Sequence, residues 1–151
     1  MIRDARPDDV GDLVRLIEAL ASYEREPDAV QCTPGSLADA LFGPEPLAHA
    51  LVAEEEGRLV GMALWFFTFS TWTGRPTLYV EDLFVEPAQR GRGLGAALMA
   101  ALEEQALQRG CARMEWSVLD WNEPAMGFYR ALGARPMAEW TTWRLEVPRR
   151  P

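Results

Sequence analysis

Gln89-Arg90-Gly91-Arg92-Gly93-Leu94-Gly95-Ala96-Ala97-Leu98 is a glycine-rich turn carrying two arginines that runs straight into an apolar helix. Glycines at alternate positions let the backbone approach a ligand and turn its N–H groups inward, and the helix N-terminus adds partial positive charge. The stretch therefore reads as a pyrophosphate site, the alternative being a tight turn with no ligand. A Walker A loop is excluded, because it needs a lysine and the chain has none. Gly91-x-Gly93-x-x-Ala96 also fits the dinucleotide fingerprint, but Glu86-Pro87-Ala88-Gln89-Arg90 separates strand from glycines, and too little chain follows for a doubly wound sheet.

Around this turn the hydrophobic pattern predicts βααβββαβαβ. Met1 to Ala5 reads as a strand. Pro7-Asp8-Asp9 opens a helix whose apolar residues Val10, Leu13, Val14, Ile17 and Leu20 fall on one face. Thr33-Pro34 starts a second helix around Leu37 and Leu41, stopped by Gly43-Pro44, and Tyr23 to Asp28 forms an exposed charged loop. Leu51 to Glu54 and Leu59 to Phe69 flank a hairpin turn, and Thr77 to Val85 is the next strand. After the glycine turn come a helix ending near Gly110, a strand from Arg113 to Leu119, a helix from Asn122 to Leu132, and a final strand over Thr142 to Val147. The strands at 77 and 119 are joined by a helical crossover, which places them side by side and parallel. The fold class is α/β with a mixed sheet, in one domain spanning residues 1–151.

Composition narrows the function classes. The net charge of −8 disfavours nucleic acid and is compatible with a cationic small molecule. No long apolar span appears, and Arg3, Asp4 and Arg6 speak against a signal peptide, so a soluble cytoplasmic protein without a membrane partner is expected. Two widely spaced cysteines read as reduced thiols. With a single histidine, neither a metal site nor a histidine-activated nucleophile is expected. All the basic residues are arginine, and Asn122 is the one asparagine.

With Arg90 to Ala96 at the third helix and Asn122-Glu123-Pro124-Ala125-Met126-Gly127-Phe128-Tyr129 at the fourth, this order resembles the GNAT superfamily of acyl-CoA-dependent N-acyltransferases. Tyr79-Val80-Glu81-Asp82-Leu83-Phe84-Val85, Trp121-Asn122-Glu123-Pro124 and Ala21-Ser22-Tyr23-Glu24 look like the diamine (spermidine/spermine-type) and thialysine acetyltransferases. The resemblance implies acetyl-CoA as co-substrate, a small primary amine as acceptor, and a homodimer. It implies that backbone groups of Leu83, Phe84 and Val85 pair with the pantetheine arm. The amides of Arg90, Gly91, Arg92, Gly93, Leu94, Gly95 and Ala96 would hold the pyrophosphate, and Asn122 and Ala125 would line the thioester end. Asn122 is equally readable as a helix N-cap.

Tyr129 is implied as the general acid for the departing thiolate, and Phe128-Tyr129 otherwise reads as a core pair. Glu81 is implied as the base that frees the amine, otherwise a strand carboxylate. By strand alternation Asp82 points to the other sheet face. Glu24, Tyr23 and Glu115 would gather round the substrate's positive charge. Two acidic positions of the polyamine enzymes are missing, at Phe69-Ser70-Thr71-Trp72 and at Trp140-Thr141-Thr142-Trp143-Arg144, which favours a shorter amine or an amino acid over a long polycation. The aromatic loop around Trp72 suggests a closed pocket.

Overall fold

The computed structural model describes residues 1–148 and 150. The chain forms two compact units, Met1–Ser117 and a second beginning at Val118. The first contains β1 (Ile2–Asp4), a 3-10 turn (Pro7–Asp9), α1 (Val10–Tyr23), α2 (Pro34–Phe42), β2 (His49–Glu55), β3 (Arg58–Ser70), β4 (Arg75–Val85), a second 3-10 turn (Pro87–Gln89), α3 (Leu94–Gln108) and β5 (Arg113–Trp116). The second contains α4 (Glu123–Ala131). Among the described residues no helix is long and apolar enough to cross a membrane.

The sheet runs β1-β2-β3-β4-β5, antiparallel through β4 and parallel between β4 and β5, as the crossover rule requires. Glu56 and Gly57, both at positive φ, close the two-residue β2–β3 hairpin; glycine carries the second position without the Cβ clash. One core cluster joins Val10, Leu13 and Leu16 of α1 and Leu37 and Leu41 of α2 to Val52, Met62, Leu64 and Phe84 on the sheet. α3 packs on β2, β3 and β4, and its Leu98 and Leu102 are fully buried. With both faces covered, β3 is buried continuously from Leu59 to Trp65 instead of alternating.

α2 starts where the sequence says it should. The Thr33 hydroxyl accepts the Ser36 N–H at 3.1 Å, the Ser36 hydroxyl accepts the Thr33 N–H at 2.9 Å, and Pro34 fills the first turn. Two arginines then fix α1 and its lead-in to the sheet. Arg3 bridges Asp9 and Glu54, each at 2.7 Å, and Arg15 donates to Glu86 at 2.6 Å and to the Leu59 carbonyl at 2.8 Å. Glu86 also takes Arg58 at 2.9 Å, so the end of β4, just before the glycine turn, is anchored from two sides.

The C-terminal part differs from expectation. β5 stops at Trp116, and residues 142–147 form no strand. Trp143, Leu145 and Val147 alternate as a half-buried strand should, yet they are 91%, 91% and 86% exposed. Alternation supplies an apolar face but not the ladder partner that makes a strand, and β5 remains the last strand of the sheet.

Candidate functional site

β4 is the strand on which the site is built. Its parallel pairing with β5 runs from Thr77 opposite Arg113 to Val80 opposite Trp116 and ends there. Toward β3 the ladder continues to Val85 opposite Gly61. Among the described residues, 81–85 therefore have a strand partner on one side only, and their other edge is of the kind that an extended ligand pairs with. At the point of parting, Asp82 pairs with Leu64 and Val80 with Trp65, which leaves Glu81 as an extra residue in a β-bulge.

Asp82 lies opposite Leu64, a member of the α1–α2 core cluster, and Glu81 and Glu24 both act on it electrostatically. Burial, reinforced by those two negative charges, pushes the Asp82 carboxyl up from 3.8 to about 6. Burial alone raises Glu24, half-buried just past the end of α1. Glu81 is exposed. Glu115, opposite Tyr79 on β5, is ion-paired to Arg113 at 2.7 Å, and the Tyr79 hydroxyl meets that of Ser117 at 3.1 Å. Of the expected acidic surround, Glu24 and Glu81 thus act on Asp82, and Glu115 is partly neutralised by Arg113.

The glycine turn follows β4 through the Pro87–Gln89 turn. Gly91 and Gly93 have φ of 78° and 82°, a region costly for any residue with a Cβ, and Gly93 is itself the N-cap of α3. Because the first bond along α3 runs from the Ala97 N–H to the Gly93 carbonyl, the N–H groups of Leu94, Gly95 and Ala96 are left at the helix end. A Cβ at Gly91 or Gly93 would meet no protein atom within 4 Å, so the ground before these amides is open. The turn fits an anionic phosphate chain on backbone conformation, free donors and space alike.

Arg90 enters in an unforeseen way. Its Nε donates to the Val85 carbonyl at 2.9 Å, and its guanidinium lies 4.8 Å from the ring centre of Tyr23 and 5.6 Å from that of Phe84. Tyr23, expected beside the amine, presents its ring to this arginine. Arg92 donates to Gln89 and lies 4.0 Å from Glu55. The Phe84 side chain is buried in the core, so only its backbone is available to a ligand.

In the second unit, Asn122 is the N-cap of α4: its Oδ1 accepts the Ala125 N–H at 3.3 Å, and the residue is buried. Tyr129 is half-buried one position after Phe128, with ring centres 5.5 Å apart. In the β3–β4 hairpin, Phe69 and Trp72 are 69% and 82% exposed.

Sequence reasoning gave no role to Asp82, which it placed on the other sheet face, or to the Arg90 side chain. The adjacent acids in Glu81-Asp82 were the available signal for the first. Nothing local announces the second, because its partner Tyr23 lies far away in sequence.

Residues 13–134 match the model of the acetyltransferase (GNAT) family. Thialysine N-epsilon-acetyltransferase of Bos taurus is 40% identical over 95% of this chain and 88% of its own length. Spermidine/spermine N(1)-acetyltransferase-like protein 1 of Homo sapiens is 35% identical over 95% of this chain, which corresponds to 22% of that longer protein. Among solved structures, an integron cassette protein from the mobile metagenome of V. cholerae superposes with a TM-score of 0.81 over 97% of this chain and 92% of its own, at 27% identity. A sheet that opens beside a glycine turn at a helix end, and a family match spanning both, lead to one conclusion: this chain belongs to the acetyltransferase (GNAT) family and is an acetyltransferase.

Proposed function

We propose that the protein moves an acetyl group from acetyl-CoA to the primary amine of a small diamine- or amino-acid-like molecule, by direct attack in a ternary complex. The observation that carries this reading is the group of Glu24, Glu81 and Asp82 beside the open edge of β4. Acetyl-CoA supplies an activated thioester carbonyl when bound. Backbone groups of Leu83 to Val85 hold its arm, the amides from Arg90 to Ala96 its pyrophosphate, and Asn122 and Ala125 its reactive end. No metal takes part.

The acidic group binds an ammonium and then removes its proton. An amine of pKa near ~10 must lose that proton before it can attack. A carboxylate at about 6 is better matched to accept it than one at 3.8. Asp82 takes this part through water, together with Glu81, whose charge raises the basicity of its neighbour. Tyr129 gives its hydroxyl proton to the leaving sulfur. Much of the rate comes from holding amine and thioester together. The domain spans the whole chain and works as a cytoplasmic homodimer, without nucleic acid or membrane.

A peptide amine is the second reading, favoured by the exposed tip at Phe69 and Trp72. Acetyl-CoA-dependent thiol release across putrescine, spermidine, lysine, thialysine and short N-terminal peptides separates the two. Turnover of one small amine is the expected result. Preference for peptides moves the assignment to the second reading, and tight coenzyme binding without turnover makes the protein an acyl-CoA sensor.

A further inference from the structure

The Arg90 side chain touches both the end of β4 and the end of α1. Its backbone enters the glycine turn directly, since Gly91 at φ 78° is the next residue. Its Nε holds the Val85 carbonyl at the end of β4, and its guanidinium lies over Tyr23 at the end of α1. The residue after Tyr23 is Glu24, whose charge bears on Asp82. One planar cation therefore links the turn proposed for the pyrophosphate, the strand proposed for the arm and the α1 end that carries an amine ligand.

We propose that Arg90 is a positioning residue that couples the two substrates: fixing the glycine turn fixes Arg90, which holds Tyr23 and Glu24 in place for the amine. The inference rests on the N-acetyltransferase reading above and adds a coupling device to it. A turn with two left-handed glycines has several backbone courses open to it, and a phosphate held by the amides after Arg90 selects one of them. The stacked guanidinium transmits that choice because it is rigid and planar and meets Tyr23 through a ring face. Coenzyme then tightens the amine, and linkage requires the amine to tighten coenzyme by the same factor.

The test measures the dissociation constant of thialysine by titration calorimetry, with and without saturating free coenzyme A, which cannot react. In the wild type, coenzyme A should tighten thialysine at least about fivefold, the lower end of measured site-to-site couplings. Arg90→Gln, which retains the backbone amides, should bring that ratio close to one. Arg90→Lys should restore part of it, and Tyr23→Phe should retain more of it than Tyr23→Ala, because the guanidinium lies over the ring. A variant that is merely loosened weakens both ligands and keeps their ratio, and that result overturns the proposal. A wild-type ratio near one while thialysine is acetylated overturns the coupling alone. Absence of turnover with every amine and peptide tried removes the reading beneath it, and the coupling falls with it.

Discussion

Replacing Asp82 by Asn should stabilise the protein while impairing the reaction. In the native state this carboxyl holds its proton up to about 6, whereas in the unfolded chain it releases it near 3.8. Between those values the native state binds more protons than the unfolded one, so stability falls as pH rises through the window, and the loss is complete above about 6. At roughly 1.36 kcal/mol per pH unit the ionised group costs the native state about 3 kcal/mol at pH 8. A carboxamide is close to the neutral acid in size and polarity, so the substitution removes the charge and little else. Urea unfolding at pH 8 should show Asp82→Asn more stable by about 3 kcal/mol, or roughly 6–12 °C in thermal midpoint for a chain of this size. At pH 3.5, below both values, the difference should shrink to about 0.2 kcal/mol. kcat/KM for the amine should fall at least about tenfold at pH 8, the stability gained being of the kind that active sites forgo. Equal stability of the two proteins at pH 8 would refute the burial argument, and unchanged kcat/KM would remove Asp82 from the site.

In the wild type, kcat/KM for the amine should rise through an acid limb near pH 6 as Asp82 ionises, and Glu81→Gln should move that limb to lower pH, because the Glu81 charge is one cause of the raised value. An unmoved limb in the pH–rate profile of that variant would separate the two acids. Tyr129→Phe should lower kcat strongly while leaving coenzyme binding nearly unchanged; a change within about twofold, measured when chemistry limits turnover, removes it as general acid. Gly93→Ala should cost about 1–2 kcal/mol of stability, since φ of 82° disfavours any Cβ although no protein atom crowds it, and should raise KM for acetyl-CoA. Thermal unfolding and initial rates read the two effects separately.

What the sequence discloses depends on how local the cause is. Thr33-Pro34-Gly35-Ser36 contains its own cap, Glu56-Gly57 its own turn, and Asn122 its own acceptor for the Ala125 N–H, so each of these features is readable from a few residues. Val10 and Leu13 mark a buried helix face by spacing, with Val14, Ile17 and Leu20 partly buried beside it; Leu16, also buried, is not legible from that spacing. The bulge at Glu81 is not local, because it depends on how β3 is matched to β4. The last expected strand failed for the same reason, since Trp143, Leu145 and Val147 specify an apolar side without specifying what pairs with it. The Arg90 contact spans the interval from α1 to the glycine turn, and no short motif encodes it.

The parting of β4 from β5 also bears on solubility. A sheet edge with unpaired amides and carbonyls is a template for any extended chain, including another copy of the same protein. Here the exposed stretch is short, it begins at a bulge, and the residue at that bulge carries a charge facing water. Bulges and edge charges are the ordinary means by which β proteins discourage sheet-to-sheet stacking. Glu81 therefore stands guard on the edge where β4 leaves β5: the irregularity at which the proposed ligand strand would enter is the same one that makes the edge a poor seed for aggregation.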